Sequence, residues 1–350
     1  MKTELLDYLL PEDRIATHPL EDRSASRLLV VGRTENRHGS FREFPELVPE
    51  GALVVLNDTR VLRARLLGHK RGTGGAVEIF LVRKLRADSD ADETWLALGR
   101  SSKPLRPGTE IDLGPLSATV LAREEDALLR VRLVAGEPVS RAVERSGRVP
   151  LPPYMRRADE PADAQRYQTV FAREDGSVAA PTAGLHVTDE TLARLRARGV
   201  EIAFTTLHVG LGTFRPVTVE DLDEHPMHEE DLVVSEELAA AVSRTRERGG
   251  SVVAVGTTVV RALESARDSR DPRRVLPGAR STRLLIQPGY EFGPVDALLT
   301  NFHMPKSTLL ALVYAFAGSE RAARAYAEAL REGYRFLSYG DAMWIPERAS

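Results

Sequence analysis

The 350-residue sequence contains no cysteine. That excludes disulfides, a thiolate nucleophile and any cysteine-ligated metal site. Aromatic residues are scarce, 6% of the chain with two tryptophans, which leaves little for the stacking platforms of a single-strand-binding protein. No run approaches the roughly 18 apolar residues that a membrane helix needs. The opening Met1-Lys-Thr-Glu-Leu-Leu-Asp-Tyr8 is charged and has no signal-peptide core. The expectation is a soluble, cytoplasmic protein. Nor is there an excess of one charge: 48 Lys and Arg stand against 51 Asp and Glu, a net charge of −3, so overall charge supplies no general attraction to nucleic acid. What remains is ordinary for a globular protein, with 42% hydrophobic and 28% charged residues. The length allows two domains, or one large domain with an insertion.

The pattern along the chain favours the insertion. Apolar runs predict strands at residues 27–31 and 52–57, the second ending in Asn57-Asp-Thr-Arg60. From about residue 63 the texture becomes short alternating runs, at 76–82, 94–98, 110–113, 118–122 and 127–133, separated by turns such as Lys103-Pro-Leu-Arg-Pro-Gly108. Such spacing predicts a small antiparallel β-barrel over 63–149. After Pro150-Leu-Pro-Pro153 helix and strand signals alternate. Helices are expected at 189–198, 235–248, 257–266, 308–317 and on to 331, with strands at 200–209, 251–255, 283–287 and 297–300. That alternation predicts a layered α/β domain with a mainly parallel sheet, built discontinuously from 1–62 and 150–350.

Charge gathers locally. Arg60, Arg63, Arg65, Lys70 and Arg71 form the densest basic run, followed by Arg100, Lys103 and Arg106, and by Arg148, Arg156 and Arg157. Acids gather at 88–93 and 220–231. A charge run is commonly a solvated face, but basic runs recurring around one region leave a local anionic partner such as RNA open.

Three histidine-bearing strings dominate the second half: Pro181-Thr-Ala-Gly-Leu-His186, Thr206-Leu-His-Val-Gly-Leu-Gly-Thr-Phe214 and Asn301-Phe-His-Met-Pro-Lys-Ser-Thr308. Each places a histidine at an element end beside glycine or proline and a hydroxyl, where chemistry is usually mounted. Lys306-Ser-Thr308 is not a P-loop, because Pro305 and Thr300 occupy the positions that need glycine. A helix start there still suits a carboxylate or phosphate, although Ser307 or Thr308 acting as a plain cap explains it equally well. Gly210 and Gly212 lack the rest of a dinucleotide fingerprint. Gly256-Thr-Thr258, between a strand and a helix, is a better seat for a small polar ligand. Arg261 and Glu264 have the spacing of an intrahelical pair. His225 and His228 stand among seven carboxylates, but Pro226 breaks the helical face that would aim both at a metal, and no metal is expected.

Together these strings resemble one family. So do Asn57-Asp-Thr-Arg60, Arg166-Tyr-Gln-Thr-Val170, Met227-His228, Pro288-Gly-Tyr290 and Ser338-Tyr-Gly-Asp-Ala-Met343. The sequence is similar to the S-adenosylmethionine:tRNA ribosyltransferase-isomerases of queuosine biosynthesis from Leu10 to Met343, densely on both sides of the insert and least within it. Val187, Val259 and Met304 depart from the family pattern, the second removing a hydroxyl beside Thr258.

The resemblance implies a fold, an α/β domain with an inserted barrel, and a reaction. The ribosyl part of S-adenosylmethionine moves onto the amine of 7-aminomethyl-7-deazaguanine at the tRNA wobble position and isomerises to epoxyqueuosine, releasing adenine and methionine. S-adenosylmethionine is then a consumed substrate, and no cofactor is implied. The amine must lose a proton to attack, a C5′ hydrogen is acidified by the sulfonium, and adenine leaves more easily toward a donor. His186, His208 and His303 are the candidates, then Asp58. Substrate contacts are expected from Thr182, Gly184, Gly210, Gly212, Gly256, Thr257, Thr258 and Ser307. The sulfonium would be met by Phe214, Tyr339 or Asp341, and the methionine carboxylate by Lys306. Arg63, Arg65 and Lys70 are the expected tRNA contacts. Two other readings stand beside this one: an S-adenosylmethionine-dependent RNA methyltransferase, and a non-catalytic RNA-binding protein using Phe80 and Trp95 of the insert.

Overall fold

A computed structural model describes residues 1–210 and 217–349. The first strands are β1 (Arg27–Val30), β2 (Arg37–Ser40), β3 (Leu53–Asn57) and β4 (Thr59–Val61), with the short α1 (Phe44–Leu47) before β3. Six antiparallel strands follow: β5 (Arg65–Lys70), β6 (Ala76–Ser89), β7 (Asp92–Ser101), β8 (Glu110–Asp112), β9 (Leu116–Arg123) and β10 (Leu128–Ala135), then α2 (Val139–Ser146). The remainder runs α3 (Asp163–Arg166), β11 (Glu174–Ser177), α4 (Asp189–Ala197), β12 (Glu201–Leu207), β13 (Glu230–Val234), α5 (Glu236–Glu247), β14 (Val252–Val255), α6 (Thr257–Ser265), β15 (Gly278–Thr282), β16 (Ala297–Asn301), α7 (Thr308–Ala317), α8 (Ser319–Arg331) and β17 (Ala342–Ile345).

Nine strands make one sheet, in the order β15-β13-β12-β3-β14-β16-β17-β1-β2. Its centre, β12-β3-β14-β16, is parallel, with Val54 opposite both Ile202 and Val253. The expectation of a mainly parallel sheet is corrected here: the sheet is mixed. β13 and β15 add antiparallel on one side, and β17 runs antiparallel to β16 before β1 joins it in parallel and β2 closes a hairpin. β3, β14, β16 and β17 are buried at every position, as strands covered on both faces must be. Alternate residues feed different clusters. Leu53, Val55, Val252, Ala254 and Leu298 pack with α5, α6 and α7, whereas Val54, Leu56, Val253, Val255 and Leu299 pack with α1 and α4.

The insert has its own core, including Leu66, Ile79, Leu81, Trp95, Val120 and Val131, sealed by Val139, Ala142 and Val143 of α2. Each strand pairs with two neighbours, β10 with both β7 and β9. The chain enters and leaves side by side, Arg65 and Arg148 exchanging both backbone hydrogen bonds.

Helix starts follow their caps. Thr188, Ser235 and Ser307 side chains accept from the third backbone N–H of α4, α5 and α7. The strand expected at 283–287 lies at 278–282 instead. Leu284 N–H turns to the Thr282 hydroxyl and its carbonyl accepts from Arg261, so that backbone leaves the ladder.

Candidate functional site

The carboxyl ends of β3, β12, β14 and β16 meet at one edge, where a parallel sheet presents its ligand crevice. Asn57 ties β3 to β12: its amide nitrogen donates to the Leu207 carbonyl at 2.9 Å, and its oxygen accepts from Leu207 N–H and Thr59 N–H. Two cavities open along this edge.

The first is lined by Thr182 and Ala183, by Gly256, Thr257 and Thr258 at the start of α6, and by Thr300, Asn301, Phe302, His303 and Ser307. Gly256 takes φ +98°, which favours glycine, so that the strand can turn directly into the helix. Among the described residues this lining carries no Asp, Glu, Lys or Arg. His303 Nε2 lies 2.9 Å from the Thr300 hydroxyl. Burial pushes its pKa down to about 3, so the ring stays neutral. Ser307 caps α7 and donates to the Met304 carbonyl.

The second cavity, about 430 Å³, lies between the sheet edge and the insert. The α/β part contributes Asp175, Gly176, His208, Gly210, His228, Glu229, Glu230, Asp231 and Arg283, and the insert contributes Arg83, Lys84, Glu93 and Trp95. His208 Nδ1 is 2.8 Å from the Thr59 hydroxyl. Burial lowers the His208 pKa, while Asp231, Glu174, Asp58 and Asp175 act in the opposite direction. Val209 lines both cavities, so they adjoin.

The profile of one protein family, described as queuosine biosynthesis protein, matches residues 3–345. The chain belongs to this family. It is 53% identical to the S-adenosylmethionine:tRNA ribosyltransferase-isomerase of Sorangium cellulosum, over 99% of this chain and 98% of that protein. It is 51% identical to the protein of the same name from Geobacter metallireducens, over 99% and 100%. The crystal structure of S-adenosylmethionine tRNA ribosyltransferase from Thermotoga maritima aligns over 97% of this chain and 99% of that one, with 35% identity and a TM-score of 0.53. Neither the methyltransferase reading nor the non-catalytic RNA-binding reading draws support from these relatives.

Against the family's chemistry, the three histidines are not in one place. His303 lines the first cavity and His208 the second, whereas His186 lines neither and sits in a separate small pocket with Arg23, Ser26 and Tyr339. His186 Nδ1 meets the Ser26 hydroxyl at 3.0 Å and Nε2 meets the Asn301 amide at 3.1 Å. Its ring leans on Phe41, and burial lowers its pKa to about 4. With both nitrogens engaged, it has no free one for a substrate proton.

Other expected contacts are also displaced. Lys306 lines neither cavity; its ammonium pairs with Asp7 at 2.7 Å. Both Asp341 oxygens accept backbone N–H groups, of Arg27 and Arg335, and Tyr339 donates to Asp163, so neither faces a sulfonium. Gly184 packs on Phe171 and Thr169 outside both linings. Asp58 accepts from Thr206 at 2.8 Å and pairs with Arg173, and burial raises its pKa. Gly212 and Phe214 lie outside the described residues. The basic run is largely self-neutralised: Arg63 pairs with Glu144 and Arg65 makes a two-point pair with Glu78, while among the described residues the Lys70 ammonium meets only the Lys103 carbonyl.

Arg261 does not pair with Glu264. It reaches back to Glu230 in a buried ion pair, and Glu230 also accepts from Gly210 N–H. The insert's share of the second cavity was missed by reading the sequence. Trp95 stood out only as a stacking residue, and nothing in the local pattern of Glu93 or Lys84 points to a site. Among the described residues, no cluster of three or more His, Asp or Glu side chains is arranged to hold a metal, and no helix is long and apolar enough to cross a membrane.

Proposed function

We propose that the chain transfers and isomerises the ribosyl part of S-adenosylmethionine onto 7-aminomethyl-7-deazaguanine at the wobble position of tRNA, giving epoxyqueuosine-tRNA, adenine and methionine. One observation carries the reading: two adjoining cavities of opposite character, which suit the two halves of that reaction. The first offers hydroxyls, an amide and a neutral histidine without a charged group, which fits an uncharged adenosine. The second offers carboxylates and a histidine around a space large enough for an amine-bearing base, and its acids also suit the sulfonium.

In this reading Thr182, Gly256, Thr257, Thr258 and Ser307 surround the adenosine, and His303, in the tautomer whose Nε2 accepts from the Thr300 hydroxyl, donates a hydrogen bond from Nδ1–H to the departing adenine nitrogen. His208 takes a proton from the substrate ammonium: one N–H bond breaks, one forms on the imidazole, and the lone pair stays on the amine. S-adenosylmethionine is consumed as a substrate, with no resident cofactor. We read residues 63–149 as a barrel domain inserted into a layered α/β domain, presenting Arg63, Arg65 and Lys70 to tRNA in the cytoplasm.

The test is incubation with S-adenosylmethionine and tRNA with or without the aminomethyl base. Free adenine should form only with the modified tRNA, and S-adenosylhomocysteine as the main product would reject the proposal.

A further inference from the structure

We propose that Thr59 is the positioning residue of His208, its hydroxyl fixing the imidazole so that Nε2 presents a lone pair to the cavity between sheet and insert. The proposal rests on the reading of His208 as the base for the substrate amine.

The geometry starts from two short strands. β4 and β11 pair in parallel with Glu174 opposite Thr59 and Asp175 opposite Arg60, and the register then slips so that Ser177 faces Val61. Gly176 is the residue left over. It takes φ +146°, and a Cβ built on it would lie 2.8 Å from His208 Cε1 and 2.9 Å from both ring nitrogens. Bare backbone therefore floors the imidazole, and no other residue type leaves room for it. Thr59, fully buried, faces the ring edge with its hydroxyl 2.8 Å from Nδ1.

Among the described residues the hydroxyl has one other hydrogen-bond partner, the Glu174 carbonyl at 3.5 Å. A carbonyl only accepts, so a hydroxyl turned toward it must accept from the ring, which places the imidazole proton on Nδ1. Nε2 has no hydrogen bond among the described residues, and His208 lines the cavity. When Nε2 takes the ammonium proton, Nδ1–H to Thr59 and Thr59 to Glu174 stay as they were. Nothing reorients during the transfer, which is what a preorganised base requires. The alternative, Thr59 donating to Nδ1, puts the proton on Nε2 and removes the base, so the two orientations make opposite predictions.

Two measurements on the full-length protein decide between them. Nitrogen-15 NMR of the neutral wild-type imidazoles, with His208 assigned by its loss in His208→Gln, should show the proton on Nδ1; the Nε2-protonated form overturns the proposal. Steady-state turnover with modified tRNA should then fall by roughly 10–100-fold in Thr59→Val, by analogy with metal-site histidines that lose their outer hydrogen-bond partner. KM for S-adenosylmethionine should stay within about twofold by the same logic, because the adenosine cavity is untouched. Thr59→Ser should return to within about threefold of wild type, since it restores the hydroxyl. Equal loss in Thr59→Ser, or a normal Thr59→Val beside a crippled His208→Gln, overturns the role of Thr59 and leaves His208 as the base. A normal His208→Gln overturns the base assignment itself. If Thr59→Val does not fold, the wild-type NMR result decides alone.

Discussion

Replacing Glu230 by Gln should unsettle both cavities at once. Glu230 is 5% exposed and Arg261 is 7% exposed, so their pair is out of water. One Glu230 oxygen accepts from Arg261 Nη1 and the other from Gly210 N–H at 3.2 Å. Arg261 also donates to the Leu284 carbonyl, and its Nη2 has no partner among the described residues. Glutamine can keep the Gly210 bond through its carbonyl oxygen, but it then turns an NH₂ toward a guanidinium. Stranding a buried charge in this way costs about 3–5 kcal/mol, which in a chain of this size corresponds to a fall in melting temperature on the order of 4–7 °C. Urea and thermal unfolding measure the loss. Because Arg261 lies one turn beyond Thr257 and Thr258 on α6, turnover should fall as well. Replacing Glu230 and Arg261 together by Met should recover most of the stability, since an apolar pair of similar volume carries no desolvation penalty. It should not recover activity, because Gly210 has then lost its acceptor. A Glu230→Gln protein within about 1 kcal/mol of wild type would refute the reasoning, because the pair would then not be desolvated.

Four further outcomes are expected. His186→Ala should lose about 2–4 kcal/mol in stability, through two buried hydrogen bonds and a cavity beside Phe41, yet retain most turnover per folded molecule; selective loss of turnover in a fully stable variant would contradict its structural role. His303→Ala should fold and lose roughly 10²–10⁴-fold in turnover, and near-normal turnover would remove it from the chemistry. Burial raises the Glu264 carboxyl to about 7 despite bonds from Gly293 N–H and Tyr290. A carboxyl raised in the folded state binds its proton more tightly there, so its stabilisation is full below its ordinary value of 4.5 and is lost as pH rises through about 7; wild type should therefore lose stability relative to Glu264→Gln over that window, and parallel curves would contradict it. Each lost phosphate contact should lower the salt slope of tRNA affinity by roughly 0.7–0.9, with Lys70 counting for more than Arg65, whose charge Glu78 already meets; an unchanged slope in the triple Arg63, Arg65 and Lys70 variant would place the tRNA elsewhere.

Much of the fold was legible because its elements carry local signals. Thr188, Ser235 and Ser307 announce the helices they cap, and β3, β14 and β16 are runs of apolar residues. The strands that make the sheet mixed signal less. β2 is Arg37-His-Gly-Ser40, β13 hides a buried Glu230 in an acidic stretch, and β17, though apolar, is only four residues long. The places of β13 and β17 are set by partners far along the chain. The site divides in the same way. Gly256-Thr-Thr258 and His303 sit where a strand hands over to a helix, a position visible locally. That His186 is sealed by Ser26 and Asn301, that Lys306 is tied to Asp7, and that Glu93 and Lys84 of the insert line the same cavity as His208 are facts about how distant segments meet. No local pattern of residues encodes them.

The central claim is that the ribosyl carbons, not the methyl group, pass from S-adenosylmethionine to tRNA. The direct measurement uses S-adenosylmethionine labelled separately in the ribose and in the methyl group, incubated with tRNA bearing the 7-aminomethyl base. The account predicts ribose label in the recovered tRNA, one adenine released per label incorporated, and all methyl label in free methionine. Methyl label in the tRNA, with the ribose label retained in S-adenosylhomocysteine, would contradict it.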